Sequence, residues 1–352
     1  MSATPRLISI PLTVVLLIVL SGCASRAGVT PTDGPDTAVA PTATAQPDGP
    51  PQPTIPLACG DFFSESDASA LLFEPVTLKL SEEWVRSLYQ AAGLEAGLFH
   101  CTWGGDDNDM TDSSWNRTID LTILPDGAAA FDEGVWQVDD GAIVYPDGST
   151  TSEYRCDSVG TGAYCTGNVL VDGYWANVRA NTYTGAEFSQ DAMAANARSI
   201  VDRVTSVISS AGPARPAWVV ADHTLTGAIC SGQPLATVSH PPYADGVAAL
   251  RATAFRCDYN STVAVTVLPG GGWAAASAQA SGRPLVYNIP PQAVTVAGAD
   301  LALWTCADGC YALLSVGGSG VELYDSQYYA GSGETDFVAE LPGIVAGIVA
   351  AG

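Results

Sequence analysis

Cys23 carries the most informative chemistry in this chain of 352 residues. It ends the run Leu20-Ser21-Gly22-Cys23, which directly follows an apolar stretch that starts near Leu7. This order is typical of a bacterial lipobox, in which the cysteine thiol becomes thioether-linked to diacylglycerol. Cleavage between Gly22 and Cys23 would leave the modified cysteine as the mature N-terminus. The pattern predicts a lipoprotein held on the extracytoplasmic face of the cell membrane by the diacylglyceryl group on Cys23.

The alternative interpretation of residues 7–20 is an uncleaved membrane span. That stretch is short of the roughly 20 apolar residues that a spanning helix needs. Arg6 supplies a positive charge in front of the apolar region, and small residues precede the cleavage point. Residues 1–22 are therefore predicted to be a signal peptide.

After the lipobox the composition changes abruptly. Residues 23–56 are rich in Pro, Thr, Ala, Gly and Asp and contain no aromatic side chain. Such a segment buries too little apolar surface to offset the entropy that it would lose on ordering. We expect residues 23–56 to be a lipid-anchored, disordered linker that holds the folded part away from the bilayer.

Eight further cysteines fall into two sets of four: Cys59, Cys101, Cys156 and Cys165, then Cys230, Cys257, Cys306 and Cys310. Sequence alone does not resolve how eight thiols pair. If both sets pair in the same way, the bonds are Cys59 with Cys101, Cys156 with Cys165, Cys230 with Cys257, and Cys306 with Cys310. The alternative for Cys306 and Cys310 is a redox or metal site, but their spacing is that of neither a thioredoxin-like pair nor a structural zinc site. We therefore predict structural disulfides and no metal.

The two sets of cysteines lie in an internal repeat. The segment Phe99-His100-Cys101-Thr102-Trp103 matches Phe255-Arg256-Cys257-Asp258-Tyr259, and Leu121–Gly127 matches Val265–Gly271. Two more matches follow in the same order, 143–145 with 285–287 and 154–156 with 304–306. The repeat predicts homologous domains at 57–212 and 223–352, joined by a linker at 213–222 that begins within the breaker cluster Gly212-Pro213-Ala214-Arg215-Pro216.

The periodicity of apolar residues predicts helices around these strands. A clear amphipathic helix spans 189–209, and a weaker one spans 335–351, where Pro342 should kink or restart it. Ser64 should cap a short helix, and Ser81 should open another that reaches Ala92. The order of helix, several strands and helix predicts an α+β fold: two tandem α/β sandwich domains, each an antiparallel sheet with helices packed on one face and stapled by disulfides.

An N-terminal cysteine-bearing helix, a strand with Cys101-Thr102-Trp103 and alternating strands after it resemble a family of uncharacterised secreted lipoprotein domains of actinobacteria. Those domains are similar in turn to the Mog1/PsbP-like α/β sandwich and to sensor-like ectodomains. The resemblance covers residues 57–211 better than 223–352, where Tyr259 replaces the tryptophan. It implies a binding role and brings no active site.

Motifs of catalysis are missing from the sequence. It contains no Gly-x-Ser-x-Gly elbow, no His-Glu-x-x-His helix and no phosphate-binding loop. Val76 stands where a Ser-x-x-Lys arrangement with Lys79 would need serine. Of the three histidines, His100 is predicted to be a solvated strand residue, and His223 and His240 fall in boundary and loop segments.

Two clusters are candidates for ligand binding. The acidic run 106–112 offers oxygen ligands for calcium, although it lacks the ordered spacing of a calcium loop and is better interpreted as a solvated hairpin tip. Trp115, Trp136, Tyr174 and Trp175 could form an aromatic platform for a glycan, but aromatic residues at strand spacing are more typical of a core.

The formal net charge of −24 makes nucleic acid and anionic lipid head groups improbable partners. We therefore expect no enzyme and no cofactor, but a lipid-anchored module that binds an unknown envelope ligand or protein. The alternatives are a sensory or envelope-assembly accessory protein and a hydrolase whose catalytic residues meet only in the fold.

Overall fold

The computed structural model describes residues 50–73, 75–80, 85, 87–105, 117–133, 143–146, 152–159, 162–183, 190–220, 222–225, 233–234, 244–258, 262–282, 285, 289–328 and 333–351. Residues Gln46–Gly352 form one compact unit. Cys23 and the signal peptide lie outside the described residues, so lipidation stays a prediction. In the part of the chain that is described, no helix is long and apolar enough to cross a membrane.

The structure is a mixed α+β fold with two antiparallel sheets. The strands of the first sheet are β1 (Thr77–Leu80), β2 (Phe99–Gly104), β3 (Arg117–Leu124), β4 (Ile143–Pro146), β5 (Ser152–Val159), β6 (Gly162–Val171) and β7 (Tyr174–Tyr183). They lie in the order β1-β2-β3-β7-β6-β5-β4.

The strands of the second sheet are β8 (Gln233–Pro234), β9 (Phe255–Asp258), β10 (Val263–Leu268), β11 (Gln292–Ala293), β12 (Leu301–Cys306), β13 (Cys310–Val316) and β14 (Ser319–Asp325). Their order is β11-β12-β13-β14-β10-β9-β8. When this order is read backwards, it repeats the connectivity of the first sheet, with β8 in the place of β1 and β14 in the place of β7.

Helices cover the outer face of each sheet. On the first sheet these are α1 (Cys59–Phe62), α2 (Glu65–Leu72) and α5 (Gln190–Ser209), and on the second sheet α8 (Glu334–Ala351). Helix α5 confirms the predicted amphipathic helix. Ser64 caps α2 in a reciprocal arrangement with Asp67, as predicted. Helix α8 is a single helix with Pro342 inside it.

The remaining helices lie on the inner faces. They are α3 (Leu88–Glu95), α4 (Ala128–Glu133), α6 (Ala244–Arg251) and α7 (Trp273–Ser281). Helix α3 packs against β10 and β14 of the second sheet, α6 packs against β3 and β7 of the first, and α3 and α6 contact each other. Each of these two helices therefore covers the sheet of the other half of the chain.

This arrangement corrects the predicted sandwich with helices on one face only. Both faces of the second sheet carry buried apolar side chains, for example Leu314 on the α8 side and Leu313 on the α3 side, so both need a cover. Helix α3 begins at Leu88, where the Ser87 side chain caps it, and extends beyond the predicted end at Ala92 to Glu95. Ser81, the predicted start of a helix, lies outside the described residues.

Three of the predicted cysteine pairs are at disulfide distance. Cys59 bonds Cys101 with their Cα atoms 5.8 Å apart, and Cys156–Cys165 and Cys306–Cys310 each have a Cα separation of 4.1 Å. The latter two join directly facing residues of the β5–β6 and β12–β13 hairpins. Cys230, the predicted partner of Cys257, lies outside the described residues.

The compact part begins earlier than the predicted end of the linker at residue 56. Ile55 is buried in the core of the first sheet. The Thr54 N–H donates to the carbonyl of Gly97, and the Arg215 N–H donates to the carbonyl of Thr54. The Arg215 guanidinium also donates to the carbonyl of Pro53. Composition misses this segment because its few apolar side chains gain a partner only when the rest of the chain has folded.

Candidate functional site

The inner face of the first sheet is lined by hydrogen-bonding side chains. Successive residues of a strand point to opposite sides of a sheet, so the cross-strand register shows which residues share a face. We call this set the polar face; it consists of His100, Thr102, Thr118, Asp120, Thr122, Tyr164, Thr166, Asn168, Asn177, Arg179 and Asn181.

The polar face is organised in rows that cross β2, β3, β7 and β6. One row is made of directly opposed Thr102, Asp120, Arg179 and Thr166, and the adjacent row of His100, Thr122, Asn177 and Asn168. Beyond the row of His100, the next row of the same face is apolar. There Leu124 and Trp175 face each other and are covered by Ala244 and Ala248 of α6. Helix α6 therefore closes one end of the polar face.

Asp120 is the acceptor at the β2 side of the polar face. The Thr102 hydroxyl donates to Oδ1 at 2.7 Å and the Thr118 hydroxyl donates to Oδ2 at 3.3 Å. Both carboxylate oxygens thus accept hydrogen bonds from neutral hydroxyls, one on the neighbouring strand β2 and one on β3 itself, which hold the side chain in place.

Asn168 is the acceptor on the β6 side. Its Oδ1 accepts from the Trp175 indole at 3.0 Å and from the Asn177 amide at 2.9 Å. The Arg179 Nε in turn donates to Asn177 Oδ1 at 3.4 Å. Trp175 is therefore a buried structural residue rather than part of an exposed platform.

The polar face has a buried floor and a half-exposed rim. Thr166, Asn168 and Asn177 are each only 1% exposed, whereas Asp120, Arg179 and Asn181 are half-buried. Two atoms, Thr166 Oγ1 in the floor and Asn181 Oδ1 at the rim, are buried without a hydrogen-bond partner among the described residues. An unpaired buried polar atom costs about 1–3 kcal/mol, so its retention needs a reason other than stability.

His100, Thr102 and Asp120 lie close together but in the wrong order for a nucleophile relay. In such a relay the histidine stands between the hydroxyl and the carboxylate. Here the Thr102 hydroxyl donates to Asp120, and the His100 ring lies 3.4 Å from the same hydroxyl oxygen. The sequence predicts a solvated His100, and in the structure this residue is half-buried on the polar face.

The equivalent rows of the second sheet are filled differently. Tyr324 and Tyr311 occupy the places of Arg179 and Thr166, and their rings stack with centroids 4.6 Å apart. Leu313 replaces Asn168 and packs in the core that includes α3 and α7. The Leu88 N–H at the start of α3 donates to Glu322, the counterpart of Asn177, at 2.8 Å. Burial raises the pKa of Glu322, while the bond from Leu88 and the charge of Arg256 oppose that shift.

Two contacts at equivalent positions of the repeat join the halves. Glu95 ends α3 and its Oε1 accepts from the Trp273 indole of the other half at 2.8 Å, while Oε2 is buried without a described partner. Burial raises the pKa of Glu95 to about 7, although the bond from Trp273 lowers it. Arg251 ends α6 and its guanidinium donates to the carbonyls of Pro125 and Asp126.

Most residues proposed from the sequence as ligand sites are not part of this surface. Trp115, Trp136, His240 and the acidic run 106–112 lie outside the described residues. Tyr174 is half-buried against the core of the first sheet, and Trp175 is buried. In the described part of the chain, no group of three or more His, Cys, Asp and Glu side chains could hold a metal ion.

Sequence reasoning missed the polar face, although a signal was present. Polar residues alternate along β3 as Thr118, Asp120 and Thr122, and along β7 as Asn177, Arg179 and Asn181. Such alternation is ordinarily interpreted as the solvent side of a sheet. Only the register reveals that these residues lie side by side.

Comparison of the chain with protein-family models, with curated proteins and with solved structures finds no match. The resemblance to actinobacterial lipoprotein domains stays a prediction from the sequence. Function has to be inferred from the polar face itself.

Proposed function

We propose that this protein is a lipid-anchored, extracytoplasmic binding module without a catalytic role, and that its ligand binds at the polar face. The observation that carries this proposal is the hydroxyl of Thr166, which is buried and unpaired in the floor of a surface made of donors and acceptors. A ligand that brings the missing partner gains the hydrogen bond that the unliganded protein lacks.

Export is supported by the cysteines. Disulfides persist in oxidising compartments and are rare in the cytosol. Three pairs at disulfide distance therefore agree with the lipobox at Cys23. We expect Cys23→Ala to release the protein from the membrane or to stall its processing, and unchanged membrane retention of this variant would contradict the lipid anchor.

We also propose that the two sheets arose by duplication of one domain. The shared strand order supports this, together with the matched cysteines and the matched Thr122 and Thr266 on the central strands. If so, only the first sheet has the hydrogen-bonding side chains proposed to bind the ligand, since Tyr311 and Tyr324 replace Thr166 and Arg179 in the second sheet.

Binding at the polar face is tested with Thr166→Val, which keeps the shape of the side chain and removes its hydroxyl. The probe is the low-molecular-weight fraction of a bacterial envelope hydrolysate, and the readout is the shift of the melting temperature. The wild-type protein should be stabilised by the fraction. The variant should be at least as stable without ligand, because an unpaired hydroxyl is gone, but should lose most of the shift.

Thr305→Val is the matched control. Thr305 also carries a buried hydroxyl without a described partner, but on the equivalent face of the second sheet. This variant should keep the full ligand-induced shift. An equal loss of the shift in both variants, or no shift in the wild-type protein, would contradict binding at the polar face.

A further inference from the structure

We infer that the ligand of the polar face is an uncharged, polyhydroxylated molecule, that is, a saccharide. This inference rests on the proposed binding function and adds the chemical class of the ligand. It follows from which atoms of the polar face are already paired and which are not.

The charged groups of the polar face already have neutral partners within the protein. The Asp120 carboxylate accepts from Thr102 and Thr118, and the Arg179 Nε donates to Asn177. Asp120 and Arg179 also oppose each other directly on β3 and β7, so the polar face presents one charge of each sign. A ligand with a formal charge would lose its hydration here without a dedicated counter-charge.

One unpaired atom needs a donor, and the other can pair with a donor or an acceptor. Asn181 Oδ1 accepts only, so the ligand must donate to it, whereas the Thr166 hydroxyl can do either. A hydroxyl group meets both requirements without carrying charge. Thr166 and Asn181 lie diagonally on the neighbouring strands β6 and β7, and such positions are about 7–8 Å apart. One ligand must therefore present several hydroxyls across that span.

The polar face also contains one aromatic side chain among its described residues, that of Tyr164. Tyr164 is directly opposite Asn181 and is half-exposed. Sugar rings have an apolar face of C–H groups, and an aromatic side chain beside planar amide and carboxylate groups can cover that face while the amides bind the hydroxyls. The polar face combines these two elements, whereas the second sheet lacks the amides in the corresponding rows.

The experiment is calorimetric titration of the full protein with neutral disaccharides up to millimolar concentration. The disaccharides are chitobiose, maltose and lactose. Glycine, glutamate and inorganic phosphate serve as charged probes. At least one disaccharide should bind, and none of the charged probes should. Thr166→Val should weaken disaccharide binding about tenfold, since one hydrogen bond is lost. Thr166→Ser, which retains the hydroxyl, should stay within a few-fold of the wild-type affinity, as should Thr305→Val.

The outcomes separate this inference from the proposed function. If a charged probe binds with the same dependence on Thr166 and no disaccharide does, the polar face is a binding site but the saccharide assignment is wrong. If a disaccharide binds equally to the wild-type protein and to Thr166→Val, the assignment to this face is wrong. If no probe binds and the envelope hydrolysate also leaves the melting temperature unchanged, both proposals fail.

Discussion

The inner faces of the two sheets have the same strand order and opposite chemistry. In the first sheet Arg179 and Asn168 both bond to Asn177, and the Thr166 hydroxyl is unpaired, whereas Tyr324, Leu313 and Tyr311 occupy the corresponding positions of the second. Among the described residues, α3 and α7 pack on the second face, and α6 packs on the first at the row of Leu124 and Trp175. The comparison shows that apolar and aromatic side chains dominate the inner face of the second sheet, whereas hydrogen-bonding side chains dominate that of the first.

The largest expected effect on stability comes from placing a polar side chain of the first sheet's inner face at the matching position of the second sheet. Leu313→Asn puts the residue type found at Asn168 into a buried apolar contact. It removes apolar burial and adds an amide without partners, so we expect the free energy of unfolding to fall by about 4 kcal/mol. Urea denaturation measures this change.

The control for that substitution is Leu313→Met, which keeps the volume nearly constant and should lose less than about 1.5 kcal/mol. A loss below about 1 kcal/mol for Leu313→Asn would mean that the second face tolerates polar groups as the first does, and the contrast between the two faces would disappear.

The second prediction concerns the contact of Glu95 with Trp273, which is one of the two contacts that join the halves. Glu95 has a pKa of about 7 in the folded protein against 4.5 as its ordinary value, so the folded state binds more protons between these two pH values. Stability should therefore fall as pH rises through this window, by about 3 kcal/mol in total, and then level off. The measurement is the pH dependence of the free energy of unfolding.

Glu95→Gln should remove this fall, so that the stability of the variant relative to the wild-type protein increases from pH 4.5 to 7. The exposed substitution Asp202→Asn should leave the slope as it is in the wild-type protein. A slope that is identical in the wild-type protein and Glu95→Gln would show that this carboxyl is not held protonated at the contact with Trp273.

The smallest effect concerns Arg251, the counterpart of Glu95. Its two hydrogen bonds to backbone carbonyls are solvent-exposed, so Arg251→Ala should cost about 1 kcal/mol. The loss should be the same at pH 5 and at pH 8, in contrast to the effect of Glu95→Gln. Arg198→Ala on the exposed side of α5 is the control and should change stability by less than about 0.5 kcal/mol. A pH-dependent loss at Arg251 would contradict the proposed difference between the two contacts.

Much of the local structure was predictable from the sequence. The capped helix after Ser64, the amphipathic helix α5 and the strand pattern around Cys101 follow from side-chain periodicity and capping chemistry. The hairpin bonds were predictable for the same reason, since Cys156 and Cys165 are placed opposite each other by a short turn. These features depend on neighbours that are near in the chain.

The sequence by itself determined the elements, the cysteine pairs that the structure describes and the excess of acidic residues. Only the tertiary structure decided that α3 covers the sheet of the other half and that Asp120, Arg179 and Thr166 stand in one row. The physical reason is that an apolar stripe shows that a helix face must be buried but does not name the surface that buries it. Likewise, alternation shows which residues share a face of a strand, but their cross-strand neighbours depend on a register set by the whole sheet.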